Sequence, residues 1–405
     1  MHRRFVAANR DAHGSLHRIG GWRRPVALVP TRERGLNMNF ELTGDQTAVV
    51  DLATSLFREH GSDDHIRALH EKDASIDRPL WRKLSETGLL SIALPEAAGG
   101  AGMGMLELGL VLQQQGRFLA AVPLWTHALA TLAVGTHGVP ALRESVLATL
   151  LSGERPAAIA TELDARAGLT ATPSQQGWLL DGELPSTLLE PWHGFLLALA
   201  TTPQGRRLFL LDLQHVAPER TSGRLTDLQT VCTLNFSRVF VAQDCVLDAP
   251  ALDWLWPRMA CCVSALQLGV LEEALSRAAA YVSERHQFGR PLGSFQALAV
   301  RAADAYIQVE LLRSAQLQLA WRIDQGLPCE AAARVAKHQA SQAGHIVGHT
   351  AQHFHGGVGA DLQYPIHRFY LKSQAQSLIA GGAEAQLAHI GRALADTDIA
   401  EYIHE

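Results

Sequence analysis

HIVGHTAQHFHGGVGADLQYPIHR, residues 345–368, crowds five histidines and four glycines into one short segment. His345, His349 and His353 are spaced i, i+4, i+8, which sets them on one face of a helix. The glycines that follow end that helix and let backbone approach a flat or phosphorylated group closely. Three chemistries compete for the segment. Zinc is held by imidazoles at helical spacing, but the glutamate of HExxH is absent, and His355 is the one obvious further ligand. A phosphate loop would need the lysine and Ser/Thr of a P-loop, which are missing. The third is contact with a bulky cofactor. No metal is expected, and the three spaced histidines read as a helix face packed against a neighbour.

Working outward, the long stretches SALQLGVLEEALSRAAAYVSERHQFG and FQALAVRAADAYIQVELLRSAQLQLAWRI, both between Trp254 and the histidine segment, have helical periodicity. Upstream, GWLLDGEL, GFLLALATT, RRLFLLDLQ and FSRVFVAQDCVL are short apolar or alternating runs broken by turn residues, as in a small β domain. Before them helices return. TGDQ, from Thr43 to Gln46, is a capping box ahead of Val49, Leu52, Ala53, Leu56 and Phe57. WRKLSETGLL is a second amphipathic helix. Ser91–Gly104 is a short apolar piece with a glycine-rich turn, and residues 105–117 resume as helix. The fold expected is α+β and mainly α. It comprises a basic extension (1–37), an N-terminal helical domain (38–158), a middle β domain (159–249) and a C-terminal four-helix-bundle-like domain (250–405).

Composition narrows the function. Of the 405 residues, 47% are hydrophobic and 19% charged, as in an ordinary globular protein. A net charge of −5 gives no electrostatic case for nucleic acid. No unbroken apolar run approaches the roughly 18–20 residues of a membrane span. Five cysteines without a CxxC pair point to a reducing cytoplasm. Residues 1–37 hold eight arginines and two acids. They read as an extension, a start codon called upstream of Met38, or a transit peptide.

The order helices, strands, helices resembles the acyl-CoA dehydrogenases, and two motifs carry the resemblance. RHQFGRPLGSFQALAVRAAD, from Arg285 to Asp304, is similar to the family's R-x-x-FG-x-x-x-x-x-FQ-x-x-x-x-x-x-AD. QHFHGGVGADLQYPIHR resembles its Q-x-x-GG-x-G followed by YP-x-x-R. Weaker likenesses are MNFELTGDQ at the family's opening, LSETGLLSIALPEAAGGAGMG in its first domain, TELDARAG for TEP-x-AGS, and LNFSRVFVAQDCVLD at the close of its β domain. The resemblance implies a flavoenzyme that oxidises an acyl-CoA across its α and β carbons. It implies that Arg285, Gln287, Phe288, Gln296, Gln352 and Gly356 contact the FAD of a neighbouring subunit, and that an electron-transferring flavoprotein takes the electrons.

Departures from the family pattern are as informative. Its usual base is a glutamate separated by fifteen residues from the tyrosine of YP, and here that position is Ala380. Alanine cannot abstract a proton. Relatives with the base on an earlier helix carry it twenty-six residues before the FG-motif arginine, which is Met259 here. The tryptophan and threonine of the family's K-x-W-I-T, which flank the flavin ring, fall on Ser186 and Leu188. The arginine and aspartate that follow YP-x-x-R are replaced by Leu371 and Lys372. The chain keeps what the family offers to a neighbour's FAD and lacks what holds and uses its own. That pattern matches a subunit of a hetero-oligomer, as in bacterial steroid side-chain degradation. Two alternatives stay open: a self-sufficient enzyme whose base is Asp361 or Glu384, and a non-catalytic acyl-CoA-binding or structural protein. The acyl group is not legible.

Overall fold

The computed structural model describes residues 41–72, 74–161 and 168–396. The basic extension and most of TELDARAG lie outside the described residues. Thr43 starts the first helix as the sequence predicts. Its hydroxyl accepts from the Gln46 amide, and the Gln46 side chain accepts in turn from the Thr43 amide at 2.9 Å. The N-terminal helices are α1 (Gly44–His60), α2 (Asp63–Glu71), α3 (Arg78–Glu86), α4 (Met105–Arg117), α5 (Leu124–His137) and α6 (Pro140–Ser152). The apolar piece after α3 is not a strand. It forms two 3₁₀ turns, Leu89–Ser91 and Glu96–Ala98, because Gly88 and Gly99 adopt left-handed conformations and reverse the chain on either side.

The strands are β1 (Ala157–Ile159), β2 (Thr170–Ser174), β3 (Gly177–Leu188), β4 (Phe195–Thr202), β5 (Gly205–Asp212), β6 (Glu219–Arg224) and β7 (Thr230–Ala242). They form one mixed sheet in the order β1-β4-β2-β3-β7-β6, with β5 paired antiparallel to β4. Leu196, Ala198 and Ala200 on alternate positions of β4 pack with Phe209 and Leu211 of β5 into the sheet's own core. The register of β3 on β7 slips between Leu184 and Thr187, and this bulge throws Ser186 into a positive φ of 51°.

α7 (Ala251–Glu284) opens the C-terminal domain. A two-residue hairpin follows, β8 (His286–Gln287) with β9 (Arg290–Pro291), and then α8 (Gln296–Asp324), α9 (Glu330–His355), α10 (Ile366–Leu378) and α11 (Ala383–Asp396). By length and composition α7 could cross a membrane, yet 78% of its apolar window is buried inside the protein. It is the central rod on which α4, α8, α9 and α10 pack. The crossing of α4 and α7 depends on two glycines. A Cβ on Gly269 would stand 1.8 Å from the Gln113 carbonyl oxygen, and one on Gly116 would stand 2.1 Å from that of Leu266.

Inside the bundle, α9 carries a lysine with no solvent exposure. Lys337 Nζ donates to Ser341 Oγ at 2.7 Å and to the Ser377 carbonyl at 3.0 Å, among the last carbonyls of α10. A cation there meets the negative end of the helix, but burial still pulls the pKa down to about 7. The unfolded chain therefore binds more protons than the native one between pH 7 and the ordinary lysine value. Stability is expected to rise with pH across that window. Melting temperature should climb by a few degrees from pH 7 to 9, and Lys337→Met should flatten the climb. An unchanged slope in the variant would remove Lys337 as its cause.

Candidate active site

Ala380, Ser186, Leu188 and Thr161, which the sequence places in three separate motifs, line a single cavity of about 1560 Å³. It lies where the sheet faces the start of α7 and the turn between α10 and α11. Ala380 occupies that turn at φ 61°, followed by Gly381 at 86°. The buried Gln386 amide pins it by donating to the carbonyls of Ala380 at 3.0 Å and Gly381 at 3.2 Å. Arg334 braces the same corner. It stacks 4.0 Å over Trp256, donates to Gln386 Oε1 at 3.1 Å, and pairs with Glu330 at 2.8 Å.

The carboxylates among the described lining residues are Asp253 and Glu330. Glu330 is committed to Arg334. Met259 is fully buried and does not line the cavity. Asp361 and Glu384 are both exposed and do not line this cavity. Asp361 accepts from the Gln363 amide at 2.9 Å as part of a turn. Ser186 is exposed on its bulge and presents no aromatic face, while Leu188 presents no hydroxyl. The pair expected after YP-x-x-R is rebuilt with a different charge: Lys372 reaches Asp227, in the turn before β7, at 3.1 Å.

The two long motifs meet at the other end of the bundle. Leu292 and Leu298 of the first pack with Phe354 and Tyr364 of the second in one cluster with Val282 of α7. His355 is buried in it, stacked 4.4 Å from Tyr281, and donates Nδ1–H to the Ala351 carbonyl at 2.8 Å. It is a core residue. Arg285 caps α7 and turns outward, with no side-chain partner among the described residues. Phe288 sits at the hairpin tip with φ 54° and is 91% exposed. Gln296 is exposed at the first position of α8. Gln352 donates to the Gly359 carbonyl, which leaves its buried Oε1 without a partner. Gly356, at φ 58° and ψ −136°, takes a conformation open to glycine, and a Cβ there or at Gly357 would meet nothing within 4 Å.

The histidine stripe differs from expectation. His345, His349 and His353 share a face, as their spacing requires, but all three are exposed. The small residues Gly344, Gly348 and Ala351 take the packed side of α9 instead. Metal-ligand geometry among the described residues occurs elsewhere, at His60, His65 and Asp77, whose ligand atoms lie within 4.8 Å of one another. Hydrogen bonds already use this group. Asp77 Oδ2 accepts from His60 at 2.8 Å and His65 at 2.7 Å, and Oδ1 caps α3 through the Leu80 amide. Burial opposes the charge on Asp77, yet these donors hold its carboxyl below the usual range. EDTA is expected to leave the melting temperature unchanged. Stoichiometric zinc in the purified protein would contradict this.

Comparison with known proteins follows the same outline. Residues 43–154 match the acyl-CoA dehydrogenase N-terminal domain model, and residues 256–395 match the C-terminal domain model. The chain is 37% identical to acyl-CoA dehydrogenase FadE27 of Mycobacterium tuberculosis, over 82% of this chain and 92% of the relative. Among solved structures it resembles the ChsE4–ChsE5 complex from Mycobacterium tuberculosis, with TM-score 0.85 and 35% identity over 89% of this chain and all of the matched one. It also resembles a variant of the Tcur3481–Tcur3483 steroid ACAD, with TM-score 0.82 and 38% identity over 87% of this chain and 98% of the other.

Proposed function

The chain belongs to the acyl-CoA dehydrogenase family, oxidoreductases acting on CH–CH bonds, and from that premise we propose that it works as the base-less subunit of a hetero-oligomer. FAD is the cofactor the family implies. Its chemistry, when bound, is to accept the β hydride of an acyl-CoA while a carboxylate removes the α proton.

One observation carries the proposal. In the cavity the base position is Ala380, and the positions of the ring-flanking tryptophan and threonine are Ser186 and Leu188, whereas Arg285, Phe288 and Gln296 stand exposed at the opposite end of the bundle. FAD bound through this chain's Arg285, Gln287, Phe288, Gln296, Gln352 and Gly356 fits the geometry. Among the described residues the guanidinium has no competing carboxylate, and the space at Gly356 and Gly357 is open. A planar cationic fork suits a pyrophosphate. The flavin ring of that same FAD would lie in the partner subunit, with the partner's base.

Two relatives support the reading, since one is a complex of two differently named chains and the other pairs two named chains as a steroid ACAD. An acyl-CoA carrying a steroid or other lipid group is the substrate class we infer, with an electron-transferring flavoprotein as acceptor. The cytoplasm suits five unpaired cysteines, four of them buried. The test is co-expression with candidate partners and a count of FAD per chain. About one FAD per pair of unlike chains is expected, with little in the isolated chain. One FAD per chain in the isolated protein would overturn the proposal.

A further inference from the structure

The exposure of the histidine stripe leaves two neighbouring imidazoles of α9 facing solvent. His345 and His349 stand about one turn apart, with ring centres separated by 4.5 Å and planes at 68°. His345 makes no side-chain hydrogen bond among the described residues, and His349 Nε2 has only the Tyr370 hydroxyl, at 3.5 Å. Burial, with His345 and Arg301 beside it, lowers the His349 pKa. That ring is therefore largely neutral at pH 7, with a lone pair to give.

The spacing of the rings matches chelation. A metal–nitrogen bond of about 2.0–2.1 Å puts an ion about 3.2 Å from the centre of the imidazole that holds it. Two imidazoles meeting at one ion at about 90–110° then have centres about 4.5–5.2 Å apart. The observed 4.5 Å lies within that range. Both side chains are exposed, so rotation about Cβ–Cγ can turn their nitrogens toward one ion without disturbing the core. His353, the next member of the stripe, has its ring contact with Phe354 instead. The pair is the site, and the third histidine lies outside it.

Other histidines compete less well. His60 and His65 each direct a nitrogen at Asp77 Oδ2, and His60 is 9% exposed, so an ion would have to break two short hydrogen bonds in a closed place. His355 is buried against Tyr281. At His345 and His349 an ion displaces only the long contact to Tyr370. One charge opposes it. Arg301 of α8, whose Nε–H reaches Thr350 Oγ1 at 3.4 Å, also acts on His349. Beside water such a repulsion is screened and lowers affinity without abolishing it.

We propose that His345 and His349 form a two-imidazole chelate for a divalent transition-metal ion of the zinc, nickel and copper class, with water in its remaining positions. Nitrogen ligands select these ions over magnesium and calcium, which take oxygen. Two protein ligands hold an ion less tightly than the four of a structural zinc site. The ion therefore leaves on dialysis, and the chain as purified does not respond to EDTA. When bound, it cross-links successive turns of α9. The site does not depend on where FAD sits, so the two readings can fail separately.

The test is calorimetric titration of the full chain with zinc chloride after dialysis against chelator, with magnesium chloride as the control. Zinc is expected to bind with Kd on the order of ten micromolar, copper(II) more tightly, and magnesium not at all. The chain's 19 histidines offer zinc other weak places, so the difference between variants is what decides. His345→Ala and His349→Ala should each lose about one ion per chain, while His353→Ala keeps it. Zinc content in His345→Ala and His349→Ala equal to that of the unaltered chain, or an equal loss in His353→Ala, would overturn the site. Should a variant misfold, the unaltered chain decides by diethyl pyrocarbonate modification read peptide by peptide. Protection of His345 and His349 by zinc supports the chelate, and protection confined to other histidines refutes it.

Discussion

The isolated chain is expected to turn over no acyl-CoA in a dye-reduction assay, even with FAD added, and to gain activity when a base-bearing family member is assembled with it. A positioned base contributes roughly 10²–10⁴ in rate, and the two positions reached by counting from the family motifs, Ala380 and Met259, are not carboxylates. Ala380 ends in a methyl group, and Met259 is buried away from the cavity. Ala380→Glu should restore little, because a base works only beside a bound hydride acceptor, and Ser186 and Leu188 replace the groups that flank one. Adding the partner should create about one active site per pair of unlike chains. Turnover by the isolated chain would move the base to one of the two acids that line the cavity. Asp253→Asn and Glu330→Gln would then name it.

A count from Tyr364 reaches Ala380, which the structure sets in the cavity, whereas the count from Arg285 reaches Met259, which is buried outside it. The β-domain positions are less secure in sequence, since the β3 bulge at Ser186 adds a residue that a count along an ideal strand would miss. The element order was legible because helical and alternating periods report one buried face each. The burial of the histidine stripe was not legible. A period of four identifies a face but not its direction, and on α9 the glycines and alanines on the other side allow close packing where imidazoles would not. Lys372 is intermediate: the loss of the family's aspartate was evident, but its ion pair with Asp227 needs the turn before β7 to be in place.

Arg285→Ala should strip FAD from the assembled complex while leaving the chain folded and the subunits associated. The arginine caps α7 through its backbone amide, which donates to the Tyr281 carbonyl at 2.9 Å, and its own carbonyl accepts from Leu292 at 2.8 Å. Alanine preserves both bonds. The side chain is exposed and has no partner among the described residues, so its removal costs the fold little. Toward a pyrophosphate the same guanidinium makes charge-assisted bonds worth roughly 1.5–3 kcal/mol, which is about ten- to 150-fold in FAD affinity. Arg285→Lys should recover part of the loss, because an ammonium supplies charge without the planar fork. The measurement is flavin retained by the complex after dialysis, read beside its melting curve and its elution volume. Full flavin content in Arg285→Ala, with assembly intact, would mean that this end of the bundle meets something other than the cofactor.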